Sequence, residues 1–265
     1  MPNPERVSIE VTDGIADVRL TRADKHNGLD WEMFEALNEA IDEVRDDEGA
    51  RVVVLSGEGP SFCAGLDFKS FMANPDRDLL GFERRPASET QEPENFAQRA
   101  SHGWRSLPVP VIAALHGNAL GGGLQLALAA DVRIAAPDTR MSVMEIRYGL
   151  IPDMSLSTTL PRLVRDDVAR ELTYTGRVVD AEEAAALGLV TRISEDPHAD
   201  ATALAAEIAD KSPTAIRSAK RLLGEAPSLD RAAGLALEEE LQRALMGSQE
   251  QLEAVARALG APAAG

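Results

Sequence analysis

The sequence has a single cysteine, Cys63, in 265 residues. A disulfide framework and a multi-cysteine metal site are both excluded. The four histidines, His26, His102, His116 and His198, show no metal-ligand spacing such as His-x-x-x-His, so no metal is expected. Positive charge is also scarce. Against 44 Asp+Glu stand 27 Lys+Arg, a formal charge of −17. The only lysines are Lys25, Lys69, Lys211 and Lys220. Broad binding to nucleic acid, RNA included, or to an anionic membrane needs a basic face, and neither partner is expected. No apolar run approaches the ~20 residues of a membrane helix. Met1 to Arg6 lacks the basic-then-apolar pattern of a secretory signal, so the expected location is cytoplasmic. What the chain does have is 44% hydrophobic residues and a length that can bury a sizeable core.

The hydrophobic pattern alternates between strand and helix periods. Val7, Ile9 and Val11 alternate with polar residues, Asp13-Gly14 turns, and Ile15 to Leu20 returns as a hairpin. Asp30 stands as an N-cap before Met33, Phe34, Leu37, Ala40, Ile41 and Val44 at helical spacing. Val52 to Leu55, Val111 to Leu115 and Val132 to Ala135 read as buried strands. Helices are predicted over 96–107 and 124–130. Together these predict an α/β layer structure. Residues 74–94 are polar and aperiodic and read as a surface loop or lid. From Asp166 the chain is mainly helical, with helices predicted over 180–187, 199–212, 214–223, 229–246 and 249–259. The block from 199 onward has little sheet to lie on and is expected to pack across a neighbouring subunit.

Two glycine-containing turns follow buried strands: Ser61-Phe62-Cys63-Ala64-Gly65-Leu66-Asp67 and Gly121-Gly122-Gly123. Such turns expose unpaired backbone N–H groups, and a helix start adds positive potential. They suit a phosphate or a developing oxyanion. A P-loop is excluded because no Gly-Lys-Ser/Thr ending follows, and the glycines do not fit Gly-x-Gly-x-x-Gly. Close helix–strand packing explains the glycines equally well. Further on, Glu145 and Asp153 lie in a mainly apolar stretch. Burial there would raise a carboxyl pKa towards proton-transfer use, although surface acids are common in so acidic a chain. Cys63 has no activating base nearby and reads as a buried structural thiol. Phe71, Phe82, Phe96 and Trp104 suit either an acyl pocket or core packing.

In order and spacing, these motifs resemble the crotonase superfamily, the enoyl-CoA hydratase/isomerase family. The resemblance runs from Leu20-Thr21-Arg22-Ala23-Asp24-Lys25-His26-Asn27 through Phe62 to Asp67 and His116 to Gly123. It continues over Glu145 to Pro152, Leu172 to Arg177 and Ala184 to Val190. It implies a crotonase-like spiral of strand–strand–helix units over residues 1–198. A C-terminal helical oligomerisation region over 199–265 would build a homo-trimer or hexamer. It implies an acyl-CoA thioester substrate, with coenzyme A entering as part of that substrate and no separate cofactor. The carbonyl oxygen would be held by the backbone amides of Ala64 and Gly122. The CoA moiety would lie near Lys25, Gly65, Leu66, Asp67 and Lys69.

The family's hydratases carry two glutamates, and here the first position is Gln125 and the second Glu145. Glutamine orients a water but does not exchange its proton at neutral pH. Asp153 resembles the catalytic aspartate of the family's dienoyl-CoA isomerases, which usually have an aspartate where Gln125 stands. The resemblance thus implies catalytic roles for Glu145, Asp153 and Gln125. Proton-shift isomerisation of an unsaturated acyl-CoA is weighted above 2-enoyl-CoA hydration. A non-catalytic acyl-CoA-binding protein is the third reading.

Overall fold

The computed structural model describes residues 1–73 and 93–259. The expected loop or lid lies mostly outside the described residues, as does Phe82. In chain order the elements are β1 (Val7–Thr12), β2 (Ile15–Leu20), α1 (Trp31–Asp46), β3 (Val52–Gly57), α2 (Phe68–Met72) and α3 (Phe96–Ser106). Then come β4 (Val111–Leu115), β5 (Asn118–Leu120), α4 (Gly122–Ala129), β6 (Val132–Ala135), β7 (Arg140–Ser142), α5 (Leu156–Thr159) and α6 (Asp166–Thr175). The chain continues through β8 (Val179–Asp180), α7 (Ala181–Leu187), β9 (Arg192–Ile193), α8 (Pro197–Ala209), α9 (Pro213–Glu225), α10 (Arg231–Leu245) and α11 (Gln249–Ala258).

Six strands form one sheet in the order β1-β2-β3-β4-β6-β9, and β5-β7-β8 form a second. The β1–β2 hairpin is antiparallel, whereas β2–β3, β3–β4, β4–β6 and β6–β9 are parallel. The centre of the large sheet is covered on both faces, and its sequence shows why. Side chains alternate across a strand. Val53, Leu55, Val111, Ala113 and Leu115 enter the main core with α1, α3 and α4. Val52, Val54, Ile112, Ala114 and Ile134 face the other way, onto Ala201, Ala205 and Ala209 of α8. Alanine at every fourth position lets α8 lie close to the strands. The C-terminal block therefore does have sheet beneath its first helix, contrary to the sequence expectation. The boundary expected at 198/199 falls inside α8.

Asp30 caps α1 as expected, accepting from Met33 N–H at 2.8 Å. Its carboxylate also pairs with Arg6 at 2.9 Å and Arg22 at 3.3 Å, which ties the hairpin to the start of α1. Among the described residues no helix is long and apolar enough to cross a membrane.

Candidate active site

The site is built where the loop after β3 meets the start of α4. That loop is stitched to β5: Cys63 N–H donates to Asn118 O at 2.9 Å, and Leu120 N–H donates to Cys63 O at 3.1 Å. Gly65 has φ +86°, and a Cβ there would stand 2.5 Å from Leu120 O. Only glycine fits so tight an approach in that conformation. The same position lies 3.5 Å from Gly122 N, so the two glycine motifs recognised in the sequence are in contact.

The amides at this junction do not divide as expected. Ala64 N–H donates to His26 O at 2.9 Å, so it is engaged and the oxyanion role expected of it is not open. Leu66 takes the exposed position instead. It bridges Leu29 in parallel fashion, with Leu29 N–H on Gly65 O at 2.8 Å and Asp67 N–H on Leu29 O at 2.9 Å. That alternation turns the N–H of Leu66 away from Leu29, and it finds no acceptor among the described residues. Gly122 opens α4, and first-turn amides have no intrahelical acceptor. Two unoccupied donors, on Leu66 and Gly122, thus flank one junction.

Glu145 begins a 3-10 turn that runs to Tyr148. A Cβ on Gly121 would stand 3.4 Å from its Oε1, which sets the carboxyl beside the start of α4. Gln125 Nε2 donates to Glu145 Oε1 at 2.7 Å. The glutamine is itself clamped: its Oε1 accepts from Met154 N–H at 2.8 Å and Leu156 N–H at 3.3 Å. Two donors on one oxygen leave no choice of amide orientation. The residue between them, Ser155, has φ 73°, a conformation unusual for a side-chain-bearing residue. It aims both flanking amides at the same point. Ser101 Oγ donates to Gln125 O at 2.9 Å and lies 3.3 Å from Ser155 Oγ. Glu145 Oε2, by contrast, is buried without a hydrogen-bond partner among the described residues.

Burial pushes the Glu145 carboxyl above its ordinary pKa. Its own backbone amide and the Gln125 amide oppose this, and the charge of Asp153 reinforces it. Asp153 is raised as well, again chiefly by burial. The structure therefore brings Gln125, Glu145 and Asp153 into one electrostatic neighbourhood, with Gln125 directly bonded to Glu145.

The remaining expected residues divide. Gly65, Leu66 and Asp67 sit in the loop. Asp67 caps α2 and pairs with Arg22 at 2.9 Å. Burial pushes its carboxyl up, but the Arg22 guanidinium and backbone amides outweigh that and hold it low. Lys25 and Lys69 are exposed. Trp104 is buried with its Nε1 on Ala100 O, and Phe71 packs on Trp31 and Phe34. Trp104 is a core residue, and Phe71 is partly buried against the core. The aromatic pair at the edge of the site is Phe68 and Tyr148, with ring centroids 4.4 Å apart, beside exposed Leu150 and Ile151. Cys63 is fully buried, its thiol donates to Asn27 O at 3.1 Å, and burial pushes it up to about 12. It is structural. His116 Nε2 lies 2.9 Å from Gly59 O. The amides of Met154 and Leu156 and the conformation of Ser155 were not legible beforehand, because backbone donors leave no mark in side-chain types.

The sequence profile described as enoyl-CoA hydratase/isomerase matches residues 10–258. This chain belongs to the enoyl-CoA hydratase/isomerase family. Mouse mitochondrial methylglutaconyl-CoA hydratase is 32% identical over 247 residues, covering 91% of this chain and 75% of the relative. Mouse mitochondrial enoyl-CoA hydratase domain-containing protein 2 is 34% identical over 250 residues, covering 92% and 81%. The crystal structure of an enoyl-CoA hydratase from Bacillus anthracis superposes with a TM-score of 0.85 at 30% identity, covering 98% of each chain. As a member of this family the chain is an enzyme. The names of these relatives favour hydratase over isomerase, reversing the weighting drawn from Gln125.

Proposed function

We propose that the enzyme adds water to a 2-enoyl-CoA, with Glu145 as the single acid/base carboxylate and the amides of Leu66 and Gly122 as the oxyanion hole. The observation that carries this reading is the asymmetry of Glu145. Oε1 is held by Gln125 while Oε2 is buried with no hydrogen-bond partner among the described residues. In the proposed sequence a water O–H bond breaks, its proton passes to Oε2, and the oxygen bonds to Cβ. The π electrons move onto the thioester oxygen as an enolate, bound by the two amides. The Oε2–H bond then breaks, the proton goes to Cα, and the carbonyl re-forms. One oxygen handles both proton steps, so hydrogen and hydroxyl add to the same face. Removing one oxyanion donor typically costs about 10²–10³ in rate, which is why the freedom of these amides matters. The hydratase names of the relatives support the same reading.

A second reading is favoured by one observation. Asp153 is a second, partly buried carboxyl with a raised pKa. It suits a dienoyl-CoA isomerase, in which Glu145 and Asp153 would move a proton between distant carbons. Side-by-side assays of a short 2-enoyl-CoA and a 3,5-dienoyl-CoA separate the two. Hydration should be the faster reaction. It should fall by about 10²–10⁴ in Glu145→Gln and persist in Asp153→Asn. Dienoyl turnover lost with Asp153→Asn, without appreciable hydration, would overturn the proposal.

A further inference from the structure

At the end of the large sheet where strands β4 and β6 begin, α3, α5 and α9 line a cleft of about 730 Å³. Five of its lining side chains are cationic: Arg105, Arg162, Arg217, Lys220 and Arg221. In a chain of charge −17 such a concentration needs an explanation. Two of the five are neutralised within the protein. Lys220 pairs with Asp131 at 2.9 Å, and Arg221 pairs with Glu225 and Glu240, each at 3.0 Å. The other three have no carboxylate partner among the described residues. Arg162 donates only to neutral oxygens, Gly224 O at 3.3 Å and Ser228 Oγ at 2.8 Å. The side chains of Arg105 and Arg217, within α3 and α9, make no hydrogen bond or ion pair to a described residue. Arg105 is half-buried and touches no carboxylate of a described residue directly, so holding its charge there is costly. Burial and the nearby Arg162 charge disfavour its charged form, and the charge of Asp131, already paired with Lys220, offsets them only in part.

We propose that this cleft binds a phosphate dianion, free or as a monoester, seated between Arg105 and Arg162 with Arg217 at the rim. A single carboxylate would leave most of this charge unmet. The oxygens of a phosphate accept from several guanidiniums at once, and the guanidinium fork matches that geometry. The loops that carry Leu66, Gly122 and Glu145 leave the other ends of the strands, so this site is separate from the proposed reaction centre and does not depend on it.

Calorimetric titration of the native protein with inorganic phosphate, and separately with phenyl phosphate, tests the assignment. Chloride at matched ionic strength is the control. Saturable binding of phosphate but not chloride is expected, and Arg105→Gln should weaken it about tenfold, the loss of one charge-assisted contact. Arg217→Gln, on the exposed rim, should weaken it less and keeps the test open if the first variant does not fold. Tighter binding of phenyl phosphate would identify an organic monoester as the ligand; tighter binding of inorganic phosphate would identify the free ion. No saturable binding to the native protein, or unchanged affinity in both variants, would overturn the proposal. So would a native protein that ignores phosphate but whose assembly dissociates in Arg105→Gln, since the cleft would then be a subunit contact.

Discussion

Gln125 is the residue at which this chain departs from the two-glutamate pattern of the family's hydratases, and the structure gives it a specific task. Its carbonyl is fixed by two backbone amides, so its NH₂ group must face Glu145. In the proposed reaction it would act through Glu145, as a positioning residue. The sign of its effect can be worked out. A donor on Oε1 favours the ionised carboxylate and pulls the pKa down, against the rise caused by burial. A base is active when deprotonated, so the acid limb of kcat/KM should lie above the ordinary carboxylate range. Gln125→Leu removes the donor, the pKa rises further, and the limb should move to higher pH. Gln125→Glu should move it the same way, because two carboxyls would share one contact and resist joint ionisation. A limb that stays in place in both variants, with activity simply lowered, would reduce Gln125 to a packing residue.

At the scale of elements, the two oxyanion-hole candidates depend on how closely α4 meets the loop after β3. A Cβ on Gly123 would stand 2.2 Å from Cys63 O and 2.8 Å from Cys63 C. Backbone against backbone has no rotamer to yield. Gly123→Ala should cost about 1–3 kcal/mol of stability and separate Leu66 from Gly122, so activity should fall further than Tm. Gly234→Ala is the matching control. It lies within α10 with nothing within 4 Å of the added methyl, and it should be neutral or stabilise by up to about 1 kcal/mol. Thermal unfolding of both variants alongside activity checks this. The elements most legible in the sequence were those with a strong period. The hairpin, α1 with its Asp30 cap, β3, β4 and β6 all lie within a residue or two of expectation. The glycine turns and Glu145 were legible as candidates, because their residue types suit the proposed chemistry. The choice of Leu66 over Ala64 was not. Both are apolar residues beside Gly65, and only the hydrogen bond from Ala64 to His26 O separates them. Nor was the seat of α8 legible, since its alanines give little hydrophobic contrast until the opposing strand faces are seen.

At the scale of the molecule, the helices after α8 are incomplete alone. Neither α9 nor α11 has a buried residue, and α10 has one, Leu237. Leu223, Leu235, Met246 and Leu252 are each more than half exposed. Apolar side chains at this density on amphipathic helices mark a contact surface, and the family resemblance makes a second and third copy of this chain the expected cover. Self-association opposes a charge of −17 per chain, so the balance should depend on salt. Screening over about 8–10 Å at physiological ionic strength weakens that repulsion and leaves the apolar contact nearly untouched. Light scattering should therefore give three or six times the 28.3 kDa chain mass, with dilution-driven dissociation more pronounced at low salt. Leu235→Glu combined with Leu252→Glu places new charge on that surface without entering the α8–sheet core, and it should shift the protein to the monomer at every salt concentration. A native protein that stays monomeric at high concentration and high salt would show that α9–α11 serve something other than copies of this chain.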